Sequence, residues 1–166
     1  MIFETDRLVI KKLSLAHLDD FHELHSDPDV MEKIPAPICS LDESHTHLNA
    51  IIHAYEEPEH RLRIWGIFVK NDGCFVGVCA AIRVSDQSRD IGYRILKRYW
   101  GQGLGTEVAN GLIGYLRTDS TLEYLTACVD RQNLASIKIL ERSMTYLKEE
   151  YVADTQRYER HYKLIL

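Results

Sequence analysis

The stretch Arg98-Tyr99-Trp100-Gly101-Gln102-Gly103-Leu104-Gly105-Thr106 holds residue types at a spacing that could do chemistry. Three alternate glycines let a backbone come close to a ligand, and free N–H groups at a helix start, assisted by the helix dipole, attract phosphate oxygens. A pyrophosphate would fit such a turn. A glycine-rich connector with no ligand would be written in the same letters, so the glycines alone do not decide. Two other phosphate loops are weakened by the letters present. A Walker loop ends in Gly-Lys-Ser/Thr, and a dinucleotide fingerprint reads G-x-G-x-x-G directly after the first strand, whereas this is G-x-G-x-G far into the chain.

The elements around the turn follow from periodicity and punctuation. Arg7 to Leu13 is a β-branched run, and Ser14 can cap a helix carrying Leu15, Leu18, Phe21 and Leu24, stopped by Asp27-Pro28. Pro35 and Pro37 constrain Ile34 to Ile38 as a loop. Ser40 and Glu43 form a capping box that opens a helix through about Tyr55, with Pro58 beyond its end. Strands are expected over Leu62 to Val69, Phe75 to Val84 and Asp90 to Leu96, the first two joined by an Asn71-Asp72-Gly73 turn. Leu104, Val108, Leu112 and Tyr115 predict an amphipathic helix to about Arg117, weakened by Gly111 and Gly114 unless something packs closely there. A strand over Leu122 to Val129, a helix from Asn133 to about Ser143, and strands over Tyr146 to Ala153 and Tyr158 to Leu166 complete an α+β order.

The whole chain has 166 residues, enough for one well-packed domain over 1–166 and few for two. Twenty Lys and Arg against 25 Asp and Glu give a net charge of −5, which argues against nucleic acid as a partner and suits a cationic one. Cys39, Cys74, Cys79 and Cys128 form no C-x-x-C pair, and three sit in apolar, strand-like surroundings, so buried thiols in a reducing compartment are expected. The N-terminus shows no basic segment followed by an apolar one, and no later run approaches a membrane span. The cytoplasm is the expected location, with no membrane partner. His22, His25, His45 and His47 belong to no recognised ligand pattern, so no metal site is expected. The acid-rich Tyr55 to His60 reads as a solvated loop and a rim that could attract cations. The prolines all lie between Pro28 and Pro58 and the glycines between Gly66 and Gly114.

Arg98-x-x-Gly101-x-Gly103 resembles the Q/R-x-x-G-x-G/A motif of the GNAT superfamily of acetyl-CoA-dependent N-acetyltransferases, with Ile91-Gly92-Tyr93 in the preceding strand. Thr5-Asp6-Arg7-Leu8, Ser26-Asp27-Pro28-Asp29-Val30-Met31 and Asn133-x-Ala135-Ser136 are similar to the RimJ/RimL-like branch, which acetylates ribosomal-protein N-termini. The resemblance implies a GNAT fold: one mixed, mostly antiparallel sheet of about seven strands flanked by about four helices. It implies acetyl-CoA as donor, with the backbone around Gly101, Gln102, Gly103, Gly105 and Thr106 holding the pyrophosphate. Ile95 and Leu96 would line the acyl-pantetheine channel, Arg98 would add charge near a phosphate, and Asn133 would contact the coenzyme. Ser136 would assist the departing thiolate, and Asp90, where the branch often has Glu, would act as a base directly or through water.

The implied acceptor is a primary amine: a protein N-terminus, or otherwise a polyamine, amino acid or antibiotic. An α-amine of pKa about 7.8 is neutral roughly one time in seven at pH 7, whereas a lysine near 10.4 costs about 4 to 5 kcal/mol to deprotonate, so an N-terminal acceptor needs only a weak base. Attack would be direct, in a ternary complex, with neither a covalent enzyme intermediate nor a metal. Other readings stay open: a domain that holds an acyl-CoA without turnover, or one that binds a nucleotide instead. Asn133 and Ser136 also read as an ordinary helix cap, Asp90 as an exposed strand-start carboxylate, and Arg98 as a solvated cation. Dimers are common in the branch, and no stripe or heptad specifies an interface here. Two departures from the pattern stand out: Met144-Thr145 replaces a Gly-Phe pair, which leaves the register of the last strands open, and Arg160 replaces a common Asp.

Overall fold

The computed structural model describes residues 1–57 and 60–166; the part of the acidic Tyr55 to His60 stretch at positions 58–59, with Pro58, lies outside the described residues. Eight strands form one sheet in the order β1-β2-β3-β4-β5-β6-β8-β7. They are β1 (Phe3–Glu4), β2 (Leu8–Lys11), β3 (Leu62–Val69), β4 (Phe75–Ser85), β5 (Ser88–Ile95), β6 (Tyr124–Asp130), β7 (Thr145–Val152) and β8 (Arg157–Ile165). Every neighbouring pair is antiparallel except β5 with β6. The α-helices are α1 (Leu18–Ser26), α2 (Pro28–Met31), α3 (Leu41–Ala54), α4 (Leu104–Leu116) and α5 (Leu134–Leu140).

Two cores sit on opposite faces of this sheet. On one, α4 and α5 bury Leu104, Val108, Leu112, Ile137 and Leu140 against Ile91, Ile95, Leu125 and Tyr162. On the other, Phe21 and Leu24 of α1 and Leu48 and Ile51 of α3 pack on Phe68, Val78 and Leu96. Asp27-Pro28 does more than end α1. Asp27 accepts from Asp29 N at 2.9 Å and Pro28 opens the short α2, so the chain restarts as a helix where sequence expects only a stop. The Ser40–Glu43 capping box is present at the head of α3.

The two glycines of α4 differ. A Cβ at Gly111 would meet Thr5 Cγ2 at 2.6 Å and Phe3 Cε2 at 2.9 Å, so this glycine lets β1 close on the helix; a Cβ at Gly114 would meet nothing within 4 Å. In place of the Gly-Phe pair, Met144 is buried in the first core, and β7 begins directly after it with a register shift between Tyr146 and Lys148. Arg160 pairs with Glu149 of β7, Nε to Oε2 3.0 Å. Cys39 and Cys79 are buried as expected of small hydrophobes. Cys74, in the β3–β4 turn, and Cys128 are exposed, contrary to the expectation of buried thiols. Cys128 alternates with the buried Ala127 and Val129, so it points to the face of β6 opposite the core. Among the described residues no helix is long and apolar enough to cross a membrane.

Candidate active site

The parallel pairing of β5 with β6 covers only Ser88, Asp90 and the residue between them, opposite Tyr124 to Thr126. Beyond Asp90 the strands separate, and residues 91–95 have no ladder partner on β6. An unpaired strand edge beside a cavity offers amide and carbonyl groups to an extended ligand. The cavity there has a volume of about 610 Å³. Its walls come from the glycine turn, from Tyr93, Arg94 and Ile95 of β5, from the head of α5, and from α2 with the residues after it.

The turn is built for close approach. Gly101 has φ +73° and Gly103 φ +79°, left-handed values that side chains rarely adopt, and a Cβ at Gly101 would enter open space. Glu107 N donates to Gly103 O at 3.1 Å, so the N–H groups of Leu104, Gly105 and Thr106 precede the first bond of α4. Gly105 serves packing: a Cβ there would lie 3.0 Å from Ile139 Cδ1 and 3.5 Å from Tyr93 Cε2. The turn is tied to the N-terminal strands. Arg7 Nη1 donates to Gln102 O at 3.0 Å, Arg7 Nε meets Glu107 Oε2 at 2.7 Å, and Thr5 Oγ1 donates to Glu107 Oε1 at 2.6 Å. Burial pushes the Glu107 carboxyl up, but the bonds from Thr5 and Arg7 outweigh it and hold it below the usual range.

Gly101, Gly103, Gly105, Thr106, Ile95, Asn133 and Ser136 all line the cavity. Asn133 caps α5 by accepting from Ser136 N at 3.1 Å, which fixes the start of the helix and the placement of the Ser136 hydroxyl. Tyr93 OH donates to Ser136 Oγ at 3.5 Å, a long bond, and burial raises the Tyr93 hydroxyl's pKa. Leu96, Arg98 and Gln102 are not among the lining residues. Leu96 is buried in the α1–α3 core, because neighbours along an extended chain point to opposite faces and Ile95 takes the cavity side. The Arg98 guanidinium bonds Glu23 of α1 and lies 5.4 Å from the Tyr99 ring centroid. The Gln102 side chain donates back to Arg98 O, while its own carbonyl receives Arg7.

A smaller cavity, about 140 Å³, shares Lys33, Ile34, Tyr93, Asn133 and Ser136 with the first and adds Gly92, Cys128 and Asp130. Asp90 stands at the point where the strands part, accepting from Thr126 Oγ1 at 2.6 Å. Burial pushes its carboxyl up, partly offset by the Thr126 bond and by His161, and the net effect is upward. On the same face Cys128 Sγ lies 3.0 Å from His161 Nδ1. His161 Nε2 is 3.0 Å from Glu150 Oε1, yet it is buried without an aligned hydrogen bond, so that contact is one of charge and proximity. Desolvation, then Asp90, Glu159 and Glu150, push the Cys128 thiol up to about 12, which keeps it protonated.

Sequence reasoning missed Tyr93 as a partner of Ser136, Arg94 as a wall residue, and the Cys128–His161 pair. The last are 33 positions apart and meet only through the β6–β8 register, which sets Cys128 opposite His161. The histidines singled out in sequence go to structural contacts: His22 Nδ1 to Ser44 Oγ at 3.0 Å, and His25 Nδ1 to Phe21 O at 2.7 Å.

The comparisons give a family to this splayed β5–β6 pair and its glycine turn. The chain belongs to the GNAT acetyltransferases: the model of the acetyltransferase (GNAT) domain matches residues 7–143. A curated relative, an uncharacterized N-acetyltransferase p20 from Bacillus licheniformis, is 26% identical over 156 residues, 92% of this chain and 86% of that protein. The fold is similar to that of RimL, a ribosomal L7/L12 α-N-protein acetyltransferase solved with coenzyme A: TM-score 0.82 and 17% identity, covering 98% of this chain and 96% of that one. It is also similar to a spermidine N-acetyltransferase from Vibrio cholerae solved with CoA and spermine: TM-score 0.81 and 16% identity, covering 96% and 95%.

Proposed function

We propose that residues 1–166 act as a single acetyltransferase domain that moves an acetyl group from acetyl-CoA to an α-amine, in a ternary complex. The observation that carries the reading is the cavity that runs from the left-handed Gly101 and Gly103 along the unpaired edge of β5 to Ser136. The residues present fit the donor. Open space at Gly101 and the unbonded N–H groups opening α4 suit a pyrophosphate, and the strand edge suits the amides of a pantetheine arm. When bound, acetyl-CoA supplies a thioester whose acyl carbon accepts the amine and whose thiolate leaves.

The chain's own groups have separate tasks. Gly101, Gly103, Gly105 and Thr106 hold the phosphates through backbone N–H groups, and Ile95 lines the arm's path. Gln102 contributes backbone, Arg98 braces the turn against α1, and Leu96 anchors the strand from behind. Asn133 sets the start of α5 and so the Ser136 hydroxyl, which donates to the departing sulfur; Tyr93 backs Ser136. Asp90, with its carboxyl shifted toward neutrality, takes the proton from the acceptor ammonium directly or through water. An α-amine is favoured over a lysine because its lower pKa leaves a weak base sufficient. Four free thiols suit a reducing cytoplasm.

The test is release of CoA thiol from acetyl-CoA as a function of added α-amine peptide, with acetyl-CoA affinity measured separately. Amine-dependent release is expected. Affinity without release would support the holding domain instead, and affinity for ATP or NAD without acetyl-CoA would support a nucleotide site.

A further inference from the structure

The cavity wall carries four charged side chains: Asp29, Glu32, Lys33 and Arg94. Three have partners of opposite sign, since Asp29 meets Lys97 at 2.5 Å and Glu32 meets Lys33 at 3.0 Å. Arg94 has none. Among the described residues its guanidinium faces no carboxylate, and its Nε is buried without a hydrogen bond. The groups close enough to interact with it are Cys39 and His25, neither an anion at neutral pH: burial pushes the Cys39 thiol up, and burial followed by the Arg94 charge holds His25 down at about 4. A guanidinium cannot escape by losing its proton at ordinary pH, so a half-buried one whose Nε is buried without a partner carries a desolvation cost that an anion offsets.

The face to which Arg94 points decides whose anion. It alternates with Ile95, whose side chain joins the α4–α5 core, so Arg94 projects toward α1 and α3. The donor's phosphates have their cradle at the head of α4, on the other face. Along β5 the same side as Arg94 carries Gly92, where a Cβ would meet nothing within 4 Å, and then Asp90. Asp90 and Arg94 thus share one side of the strand, with open space over Gly92 between them.

We infer that Arg94 is the counter-ion for an oxyanion on the acceptor, so that the substrate is an amine carrying a nearby carboxylate or phosphate rather than a polyamine. This rests on the acetyltransferase reading and narrows it. A bidentate guanidinium–oxyanion pair at a half-buried site discriminates by roughly ten- to a hundredfold against an acceptor lacking the anion. A second ammonium at the same place meets a like charge.

Matched acceptor pairs test this on the full chain: alanine against alaninamide, the amidated dipeptide Ser-Asp against Ser-Asn, and ethanolamine phosphate against ethanolamine, with spermidine as the polycation. The first pair reports a free amino acid, the second a peptide N-terminus with an acidic side chain, and the third a phosphate. At least one anionic member is expected to exceed its neutral partner tenfold or more in kcat/KM. Arg94→Gln should remove that ratio while leaving the acetyl-CoA KM unchanged, and Arg94→Lys should restore part of it. Binding of the N-acetylated pairs to the CoA-loaded protein, read by calorimetry, gives the same comparison without turnover. An anionic preference in binding with no turnover would leave Arg94's role standing and sink the enzyme reading. No preference in any pair, spermidine as the best acceptor, or a raised acetyl-CoA KM in Arg94→Gln would overturn the proposal.

Discussion

In the proposed reaction Ser136 and Asp90 would carry opposite halves of the proton traffic. Ser136 Oγ has one donor, Tyr93 OH at 3.5 Å, and stands at the boundary shared by the two cavities. Ser136→Ala is expected to lower kcat by roughly ten- to a hundredfold with the acetyl-CoA KM little changed, because the hydroxyl matters only as charge builds on sulfur. A steady-state analysis with acetyl-CoA varied would show the split. Asp90 is basic only above its pKa, which burial lifts above the ordinary value of about 3.9. The acid limb of the kcat/KM profile should therefore fall as pH drops through that raised value in the parent enzyme. Asp90→Asn should abolish the limb along with most of the activity. At this scale the sequence was readable where a contact coincides with a local motif, as at Asn133 to Ser136, where one cap places both residues at the cavity. Arg94 was not readable, since a lone arginine in a strand shows neither its face nor its missing partner.

At the scale of the element, α4 shows how one letter can mean two things. Gly111 admits Thr5 and Phe3, so Gly111→Ala forces β1 away and is expected to destabilise the protein by about 1 to 3 kcal/mol. Gly114 faces open space within the helix, so Gly114→Ala should stabilise it by about 0.5 to 1 kcal/mol through helix propensity alone. Thermal or urea unfolding of the two variants would give shifts of opposite sign. Periodicity placed α4 to within a residue, but left open whether anything packs closely at its two glycines. The strand alternation that puts Ile95 in the α4–α5 core and Leu96 in the α1–α3 core was legible in principle, because successive side chains of an extended chain point to opposite faces. The splay between β5 and β6 was not, since ladder pairing depends on residues some 35 apart and nothing in Ile91 to Ile95 announces a missing partner.

Across the whole molecule, the cradle depends on residues about a hundred positions away. Glu107 collects Thr5 Oγ1, Arg7 N and Arg7 Nε, and Arg7 also reaches Gln102 O, so the connection between β1 and β2 clamps the glycine turn. The Glu107 carboxyl is held below its usual range, so its contribution to stability is full above the unfolded value of about 4.3 and is lost as pH falls through the folded one. Glu107→Gln should cost about 1 to 3 kcal/mol at pH 7, with a deficit that shrinks toward acid pH, in urea titrations at several pH values. The same variant should weaken acetyl-CoA binding, because Gln102 O loses its clamp. The resemblance at Thr5-Asp6-Arg7 was visible in the sequence, but its physical reason lay in a contact that only the fold supplies.

The proposed function places acetyl-CoA and the transfer of its acetyl group to an amine in one cavity. Its most direct measurement is CoA thiol release from acetyl-CoA by the full chain, followed while the acceptor panel is varied, with mass spectrometry of the acceptor. Stoichiometric thiol and N-acetylated product are expected, suppressed in Ser136→Ala at unchanged acetyl-CoA affinity. Tight acetyl-CoA binding with no acceptor gaining an acetyl group, or equal turnover in Ser136→Ala, would contradict it.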